Sequence, residues 1–455
     1  MKNLPFFRSI KKIYFIGIGG ISLSGLALIL HNEGFIVAGS DVNLNENIKK
    51  LEGMGIEFFC SHKKKNIKKF SPDLVVFSSA IGEDNPERIF ANENNILCLP
   101  RADFIGEILK CYKNVISIAG SHGKTTTTAM IGEIFMDAGL NPTVHIGGES
   151  VNLQTNSFFG SHEFFITEAC EYKRSFLKFK SSLGVILNVE EDHPDCYENL
   201  SEIEGSFIEF SKNCDKVIVN SDFFEKRKLK NEKFITFNLK NANFSIKNIR
   251  KNKNFGYNFS VLKNGENYGR FCLNIFGKHN ILNALCAICV CDYYKIDKKI
   301  MKSSLENFRG VKRRFEKVEN TKLLGDVFFD YAHHPTEIKN LLFEVKKFNR
   351  PIVVVFQPHT YSRTKKYFND FLNSFNFAFE IIFLKTYSAR EKVIKNATSF
   401  DLYKSLKEEK NVKFFSSFKK VVKYLKKTTK SNFVTIFIGA GDIYNIKDML
   451  KWNFV

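Results

Sequence analysis

Val115-Ile116-Ser117-Ile118-Ala119 runs directly into Gly120-Ser121-His122-Gly123-Lys124-Thr125-Thr126-Thr127-Thr128, and the reading of this stretch decides the fold. The first five residues are a largely apolar strand suited to burial in a parallel sheet. The glycines make a turn, and the threonines open a helix. A strand, loop and helix in this order present backbone N–H groups and a helix N-terminus to an anion. Gly120 and Gly123 let the main chain come close to a triphosphate. Lys124 supplies charge for the β- and γ-phosphates, and Thr125 offers a hydroxyl to Mg²⁺. The pattern G-x-x-x-x-G-K-[ST] asks for glycine at position 118, where this chain has Ile118, so the loop is a variant P-loop. Gly120, Ser121, His122, Gly123, Lys124, Thr125 and Thr126 are the candidate ATP contacts.

Outward from this loop, strands and helices alternate on both sides, which predicts an α/β chain with parallel sheets. Before it, strands are predicted at Ile13–Ile16, Phe35–Ala38, Leu74–Phe77 and Ile96–Leu99, with a connecting helix over Ala102–Leu109. After it come strands at Phe164–Thr167, Leu183–Asn188 and Lys216–Asn220. Short strands with Asn/Gly turns follow over residues 231–275, then a helix over Ile281–Tyr294. From Gly310 a third set begins, with strands at Val327–Asp330, Ile352–Phe356, Ile381–Leu384 and Phe433–Gly439. A chain of 455 residues has room for two to four domains, and the pattern divides it into three: 1–110, 111–309 and 310–455.

Composition narrows the class. Apolar residues make up 44% of the chain, enough for several packed cores. Ten cysteines without framework spacing fit a reducing cytosol. The net charge of +20 comes from lysines spread over most segments. That reads as compositional drift and a solvated surface rather than a nucleic-acid stripe, although a positive field gathers anionic substrates. The uncharged run Ile13–Leu30 reaches the length of a membrane span. Gly17, Gly19, Gly20 and Gly25 instead break it into strand, turn and helix, so no membrane insertion is expected.

The loop Gly17-Ile18-Gly19-Gly20-Ile21-Ser22 falls short of a dinucleotide fingerprint, which asks for glycine where Ser22 stands. Asp41 after the second strand suits a ribose hydroxyl. The residues by themselves leave an NAD site, a UDP-sugar diphosphate site and a plain tight turn open. Glu168 and Glu171 follow one strand, and Glu190-Glu191-Asp192-His193 follows another. C-terminal strand ends of a parallel sheet converge on a ligand crevice, so Glu168, with Thr125 and His193, is a candidate Mg²⁺ site. Asn280 and Asn283 share a helix face. Cys286, Cys289 and Cys291 on that helix read as core. In the third region Arg314 suits a transferring phosphoryl group. Asp330 precedes a His333-His334-Pro335 turn that reads either as a metal site or as a helix start.

Taken in order, the segments FIGIGGISLSGLA (15–27), GSDVN (39–43), SSAIGEDNPE (78–87), LPRADFIGEIL (99–109), GSHGKTTTT (120–128), EACEYKRSFL (168–177), NVEEDHPD (188–195), GKHNILNAL (277–285), GVKRRFE (310–316), DYAHHPTEI (330–338), QPHTYSRT (357–364), YSAREK (387–392) and GAGDI (439–443) resemble the Mur ligases over nearly the whole chain. The resemblance implies a Rossmann-like first domain for a UDP-sugar, a central P-loop domain for ATP and a Rossmann-like C-terminal domain for an amino acid. It turns the choice at Gly17, Gly19 and Gly20 toward a UDP-sugar and against NAD. It implies that Lys124 and Thr125 meet phosphate and Mg²⁺, that Glu168 and His193 belong to the metal site, and that Asn280, Asn283, Arg314 and Asp330 line the nucleotide and the reacting groups. QPHTYSRT and GAGDI favour, within the family, the member that adds L-alanine to UDP-N-acetylmuramate. Arg363 is then a candidate for the alanine carboxylate. Two departures stand out: Cys170 where many relatives carry an acid, and Phe329 in place of an acid before Asp330. A dehydrogenase built on the glycine loop leaves the P-loop unexplained, and a non-catalytic binding protein leaves Lys124 and the metal candidates unexplained.

Overall fold

The apolar runs predicted as buried strands fall into three separate sheets. The computed structural model describes residues 1–451 apart from 2–3, 192–195, 228, 230–231, 254–255, 319–324 and 390. The first sheet holds β1 (Lys12–Ile16), β2 (Ile36–Ser40), β3 (Glu57–Phe59), β4 (Leu74–Phe77) and β5 (Leu97–Pro100), all parallel, in the order β3-β2-β1-β4-β5. The apolar run from Ile13 is therefore β1, a glycine turn and the helix Ile21–Asn32. Among the described residues no helix is long and apolar enough to cross a membrane. The chain winds outward through β2 and β3, then returns to the other side of β1. That reversal opens a crevice at the carboxyl end of β1, where the glycine loop lies.

The second sheet is built around the strand that feeds the P-loop. Its members are β6 (Asn114–Ala119), β7 (Thr143–His145), β8 (Ser157–Phe158), β9 (Phe164–Glu168), β10 (Ser181–Ile186), β11 (Cys214–Asn220), β12 (Phe234–Phe237), β13 (Phe244–Lys251), β14 (Tyr257–Lys263) and β15 (Glu266–Leu273). The order is β15-β14-β13-β12-β11-β10-β6-β9-β7-β8. The middle is parallel as predicted, but both ends turn antiparallel. At one end β14 and β15 are joined by Asn264-Gly265, both at positive φ (51° and 86°), the two-residue hairpin turn that Asn-Gly favours.

The third sheet holds β16 (Glu316–Val318), β17 (Asp326–Asp330), β18 (Ile352–Phe356), β19 (Glu380–Leu384), β20 (Val412–Phe415) and β21 (Val434–Ile438), in the order β16-β17-β21-β18-β19-β20. Only the edge strand β16 is antiparallel. β18, β19 and β21 are buried along their whole length, which is why they read as continuous apolar runs. Contacts divide the chain into two compact units. One comprises residues 1–192, 199–275 and 279–310 and carries the first two sheets; the other comprises 193–198, 276–278 and 311–455 and carries the third.

Within the larger unit the two sheets are joined at a polar seam. Asn156 donates to the Ile21 carbonyl and to Ser24 Oγ (3.3 Å), and Arg101 Nη1 donates to Ser22 Oγ at 2.8 Å. His145 Nε2 lies 2.9 Å from the Ser22 carbonyl, and Nδ1 lies 3.2 Å from Thr167 Oγ1. Burial pushes the His145 pKa down to about 4, so the ring is neutral at pH 7. A carbonyl only accepts, so Nε2 carries the proton and Nδ1 accepts from Thr167.

The core of the smaller unit contains a cluster of phenylalanines in tilted and edge-on contact. Phe356 is fully buried, with its ring 5.6 Å from Phe371, 5.4 Å from Phe375 and 6.2 Å from Phe383. Phe356→Ala is expected to lower unfolding stability by about 3–5 kcal/mol, read as a fall in the urea midpoint. A loss under about 1 kcal/mol would show that this cluster does not carry the core.

Candidate functional site

The P-loop keeps its own N–H groups largely out of secondary structure, so other groups must hold it open. Gly120 and Gly123 adopt φ of 145° and 87°. A Cβ on Gly123 would lie 2.5 Å from Asn283 Oδ1, so only glycine fits. Asn188, at the end of β10, accepts from His122 N at 2.8 Å through Oδ1 and donates to the His122 carbonyl at 3.0 Å. Its own carbonyl accepts from Ser121 N at 3.1 Å. Ser121 Oγ donates to the Glu190 carbonyl (3.1 Å) and accepts from Glu190 N (2.8 Å). Thr125 and Thr126 are buried in the first turn of the following helix, Lys124–Asp137.

Lys124 is folded back on the loop. Its ammonium donates to the carbonyls of Gly120 and Ser121 and to both oxygens of Glu171, at 2.9 and 3.1 Å. Burial alone would lower the Lys124 pKa, but Glu171 and its neighbours outweigh it and hold the pKa above its ordinary value. Glu171, 1% exposed, was visible in sequence only as the second acid of EACE; nothing local marked it as the lysine's partner. Glu168 ends β9 in register with Ile118, next to the P-loop strand. It accepts from Gly147 N through Oε1 at 2.5 Å. Asn280 and Asn283 lie buried on the helix His279–Tyr293, where Asn283 Nδ2 donates to Asn280 Oδ1 at 2.9 Å. Thus Lys124, Thr125, Glu168 and the Asn280–Asn283 pair gather at the carboxyl edge of one sheet. His193 lies outside the described residues.

The glycine loop of the first sheet is braced by acid and amide. Gly17 N and Ile18 N donate to the Ser40 carbonyl at 2.8 and 3.0 Å. Asp41 Oδ2 accepts from Gly19 N at 3.1 Å, and Oδ1 accepts from Val42 N and Asn43 N. Asn45 and Asn47 donate to the Gly19 carbonyl. Asp41, which sequence marks for a ribose hydroxyl, holds the loop itself. Gly20 precedes the helix Ile21–Asn32, so a twelve-residue helix points its N-terminus at the crevice.

In the smaller unit the residues after β17, β18 and β21 meet. Arg313 Nη2 donates to the carbonyls of Gly439 and Gly441 at 2.8 and 2.9 Å. Its guanidinium packs 4.8 Å from the Tyr331 ring, and that of Arg314 packs 5.0 Å from the same ring. Asp330 accepts from Phe315 N and Ala332 N, each at 2.8 Å, so it shapes the loop that carries Arg314. His333-His334-Pro335 is a helix start: His334 caps the helix Pro335–Val345, and Glu337 accepts from the His333 and His334 N–H groups. Arg363 is buried, with Nη1 3.3 Å from His359 Nδ1. The His359 ring lies 5.8 Å from His333 and stacks on Tyr387 at 5.6 Å. Burial, then the charges of His333, Arg363 and Arg313, push the His359 pKa down to about 3. A neutral His359 accepts from Arg363 and orients the guanidinium.

Comparison with known proteins agrees across all three sheets. The model of the Mur ligase family catalytic domain matches residues 12–113, that of the Mur ligase middle domain 118–291, and that of the Mur ligase glutamate ligase domain 313–441. A UDP-N-acetylmuramate–L-alanine ligase of Clostridium acetobutylicum is 42% identical, over 96% of this chain and 97% of its own length. That of Clostridium beijerinckii is also 42% identical, over 95% and 96%. Among solved structures, the UDP-N-acetylmuramate-alanine ligase of Thermotoga maritima aligns with a TM-score of 0.84 at 30% identity, covering 97% of this chain and 98% of that one. A murein peptide ligase of Psychrobacter arcticus shares the fold, with a TM-score of 0.75 at 23% identity, over 98% and 99% of the two chains.

Asp330 supplies a pH test of this geometry. Burial raises its pKa from 3.8 to about 6, against the pull of Arg314 and the two backbone N–H donors. A carboxyl whose folded pKa exceeds its unfolded value favours folding when protonated. Its contribution is therefore full below about pH 4 and lost as the pH rises through 6. The stability of the wild type relative to Asp330→Asn is expected to fall between pH 4 and 6 and to level off above. Urea unfolding across that range checks it, and a flat difference would place Asp330 in water.

Proposed function

This chain belongs to the Mur ligase family, and on that premise we propose that it is an ATP-dependent amide ligase joining L-alanine to the lactyl carboxylate of UDP-N-acetylmuramate. The observation that carries the reading is 42% identity over 96% of the chain to relatives that bear that reaction in their name. The P-loop geometry supports the ATP requirement. The division of labour is proposed by region: 1–110 for the UDP-sugar, 111–309 for ATP and 310–455 for the amino acid.

A carboxylate is a poor acyl donor because its oxygen leaves badly. In the proposed reaction a lactyl oxygen attacks the γ-phosphorus of ATP, ADP departs, and an acyl phosphate forms. The amine of alanine, having given up a proton, attacks the acyl carbon and expels phosphate, which keeps the oxygen. The protein contributes position and charge rather than covalent chemistry. Gly120, Ser121, His122, Gly123 and Thr126 would cradle the triphosphate with Lys124, whose ammonium exchanges loop carbonyls for phosphate oxygens. Asn280 and Asn283 are proposed to line the nucleotide, with Asn283 packed against Gly123. Arg314, stacked on Tyr331, is proposed to meet the transferring phosphoryl group, with Asp330 fixing its loop. Gly17, Gly19 and Gly20 are proposed to receive the UDP diphosphate at the helix N-terminus.

A hydroxyl in the first turn of the P-loop helix and a carboxylate at the end of the adjacent strand form a hard-oxygen donor set that fits Mg²⁺. Thr125 and Glu168 would hold the ion, with His193 proposed as a third donor. When bound, it would neutralise phosphate charge. Arg363, oriented by neutral His359, is proposed to grip the alanine carboxylate. A cytoplasmic enzyme is proposed, since no disulfide joins cysteines among the described residues and both nucleotides would be drawn from the cytosol.

Two measurements test this. Phosphate release from ATP is expected to need UDP-N-acetylmuramate and L-alanine together, with glycine, serine or a tripeptide giving slower turnover. A faster rate with the tripeptide would overturn the choice of acceptor. Arg363→Lys is expected to raise the KM for L-alanine by about tenfold, leaving those for ATP and the UDP-sugar within about twofold. Equal shifts in all three would instead mark a folding defect.

A further inference from the structure

The alanine-site residues His359 and Arg363 sit on a segment with little regular structure of its own. The helix Tyr361–Lys366 is only six residues long, and Thr360 before it adopts φ 66°. That is an outlying conformation for a β-branched residue, kept only where surrounding groups over-determine it. Those groups come from one loop. Tyr387 N donates to the Pro358 carbonyl at 2.8 Å, and Thr360 N donates to the Tyr387 carbonyl at 2.9 Å. The Tyr387 ring stacks on His359.

Glu391 closes the arrangement. Its Oε2 accepts from Tyr361 N at 2.6 Å and Ser362 N at 2.9 Å, and its Oε1 accepts from Ser362 Oγ at 2.5 Å. First-turn N–H groups have no partner inside their helix. Here a carboxylate from thirty residues downstream takes two of them, where a local cap would take one or two from the preceding residue. Thr360 Oγ1 still reaches Arg363 N, but at 3.4 Å. The start of this short helix is thus set mainly by Glu391, and the start fixes the direction in which Arg363 leaves it.

We propose that Glu391 is a positioning residue of the amino-acid site: by capping Tyr361 and Ser362 it holds Arg363 and His359 in the geometry that grips the carboxylate of the incoming amino acid, without touching the substrate. This rests on the reading that Arg363 holds alanine. The role of Glu391 is to accept hydrogen bonds, and glutamine keeps a carbonyl oxygen in that place while losing the charge.

The test is steady-state kinetics with three variants of the full chain, each substrate varied in turn. Glu391→Ala is expected to raise the KM for L-alanine by about tenfold. The KM values for ATP and UDP-N-acetylmuramate stay within about twofold, and Glu391→Gln recovers most of the loss. An unchanged KM for L-alanine in Glu391→Ala overturns the proposal. A loss in Glu391→Gln as large as in Glu391→Ala also overturns it, because the carboxylate charge would then act on the substrate itself. Parallel losses for all three substrates with a lower melting temperature overturn it in favour of a general folding role. Arg363→Lys separates the two levels. If that variant leaves the KM for L-alanine unchanged, the site reading has failed; if it raises the KM and Glu391→Ala does not, only the positioning role has.

Discussion

A backbone that is to meet a polyphosphate has to be held as an open loop rather than closed into a helix or strand. Gly120–Lys124 is held this way by side chains and by the chain that follows a neighbouring strand, and two of its N–H groups, those of Ser121 and His122, are bound to Asn188. Asn188 makes two bonds to His122, Ser121 trades two bonds with Glu190, and Asn283 stands where a Cβ on Gly123 would have to go. The supports arrive from the segment after β10 and from the helix His279–Tyr293, so the strand order around β6 is not an independent property of the fold. β10 must lie beside β6 to deliver Asn188, and β9 must lie on its other side to deliver Glu168. The helix His279–Tyr293 has to cross beneath the loop, which explains why its own polar pair, Asn280 and Asn283, is buried.

What could be read from sequence follows the same logic. The P-loop strand, the fully buried strands β18, β19 and β21, and the Asn264-Gly265 turn carry local signatures: apolar runs and glycine-bearing turns. The short strands β7 and β8 carry none, because three and two residues show no period. Partner choices were also hidden. Glu171 looks like any acid until β9 places it on Lys124, and Glu391 looks like a surface residue until its loop folds onto Tyr361 and Ser362. The ambiguous His333-His334-Pro335 resolves once the helix is seen, since His334 and Glu337 form a reciprocal cap.

The two departures from the family pattern have different physical characters. Phe329 sits beside Asp330 on a strand, so the two side chains point to opposite faces. Phe329 stacks on Phe437 at 4.7 Å and meets Tyr444 at 5.3 Å. Replacing an acid there repacks the far side of the sheet and leaves the loop-binding carboxylate alone. Cys170 is closer to the chemistry, between Glu168 and Glu171. Burial, reinforced by Glu171, raises its thiol pKa, so it stays uncharged and removes one negative charge from the surroundings of Lys124.

The seam in the larger unit bears on ancestry. Gly25 faces His145 and Asn156 so closely that a Cβ there would lie 3.1 Å from each, and Ser22 is gripped at once by Arg101 and His145. Positions 22, 25, 101, 145 and 156 therefore form one lock whose parts are scattered over more than a hundred residues of chain. The first hundred residues are for this reason no portable cassette. A chimera that borrowed them from a distant cousin would inherit one half of the lock without the other.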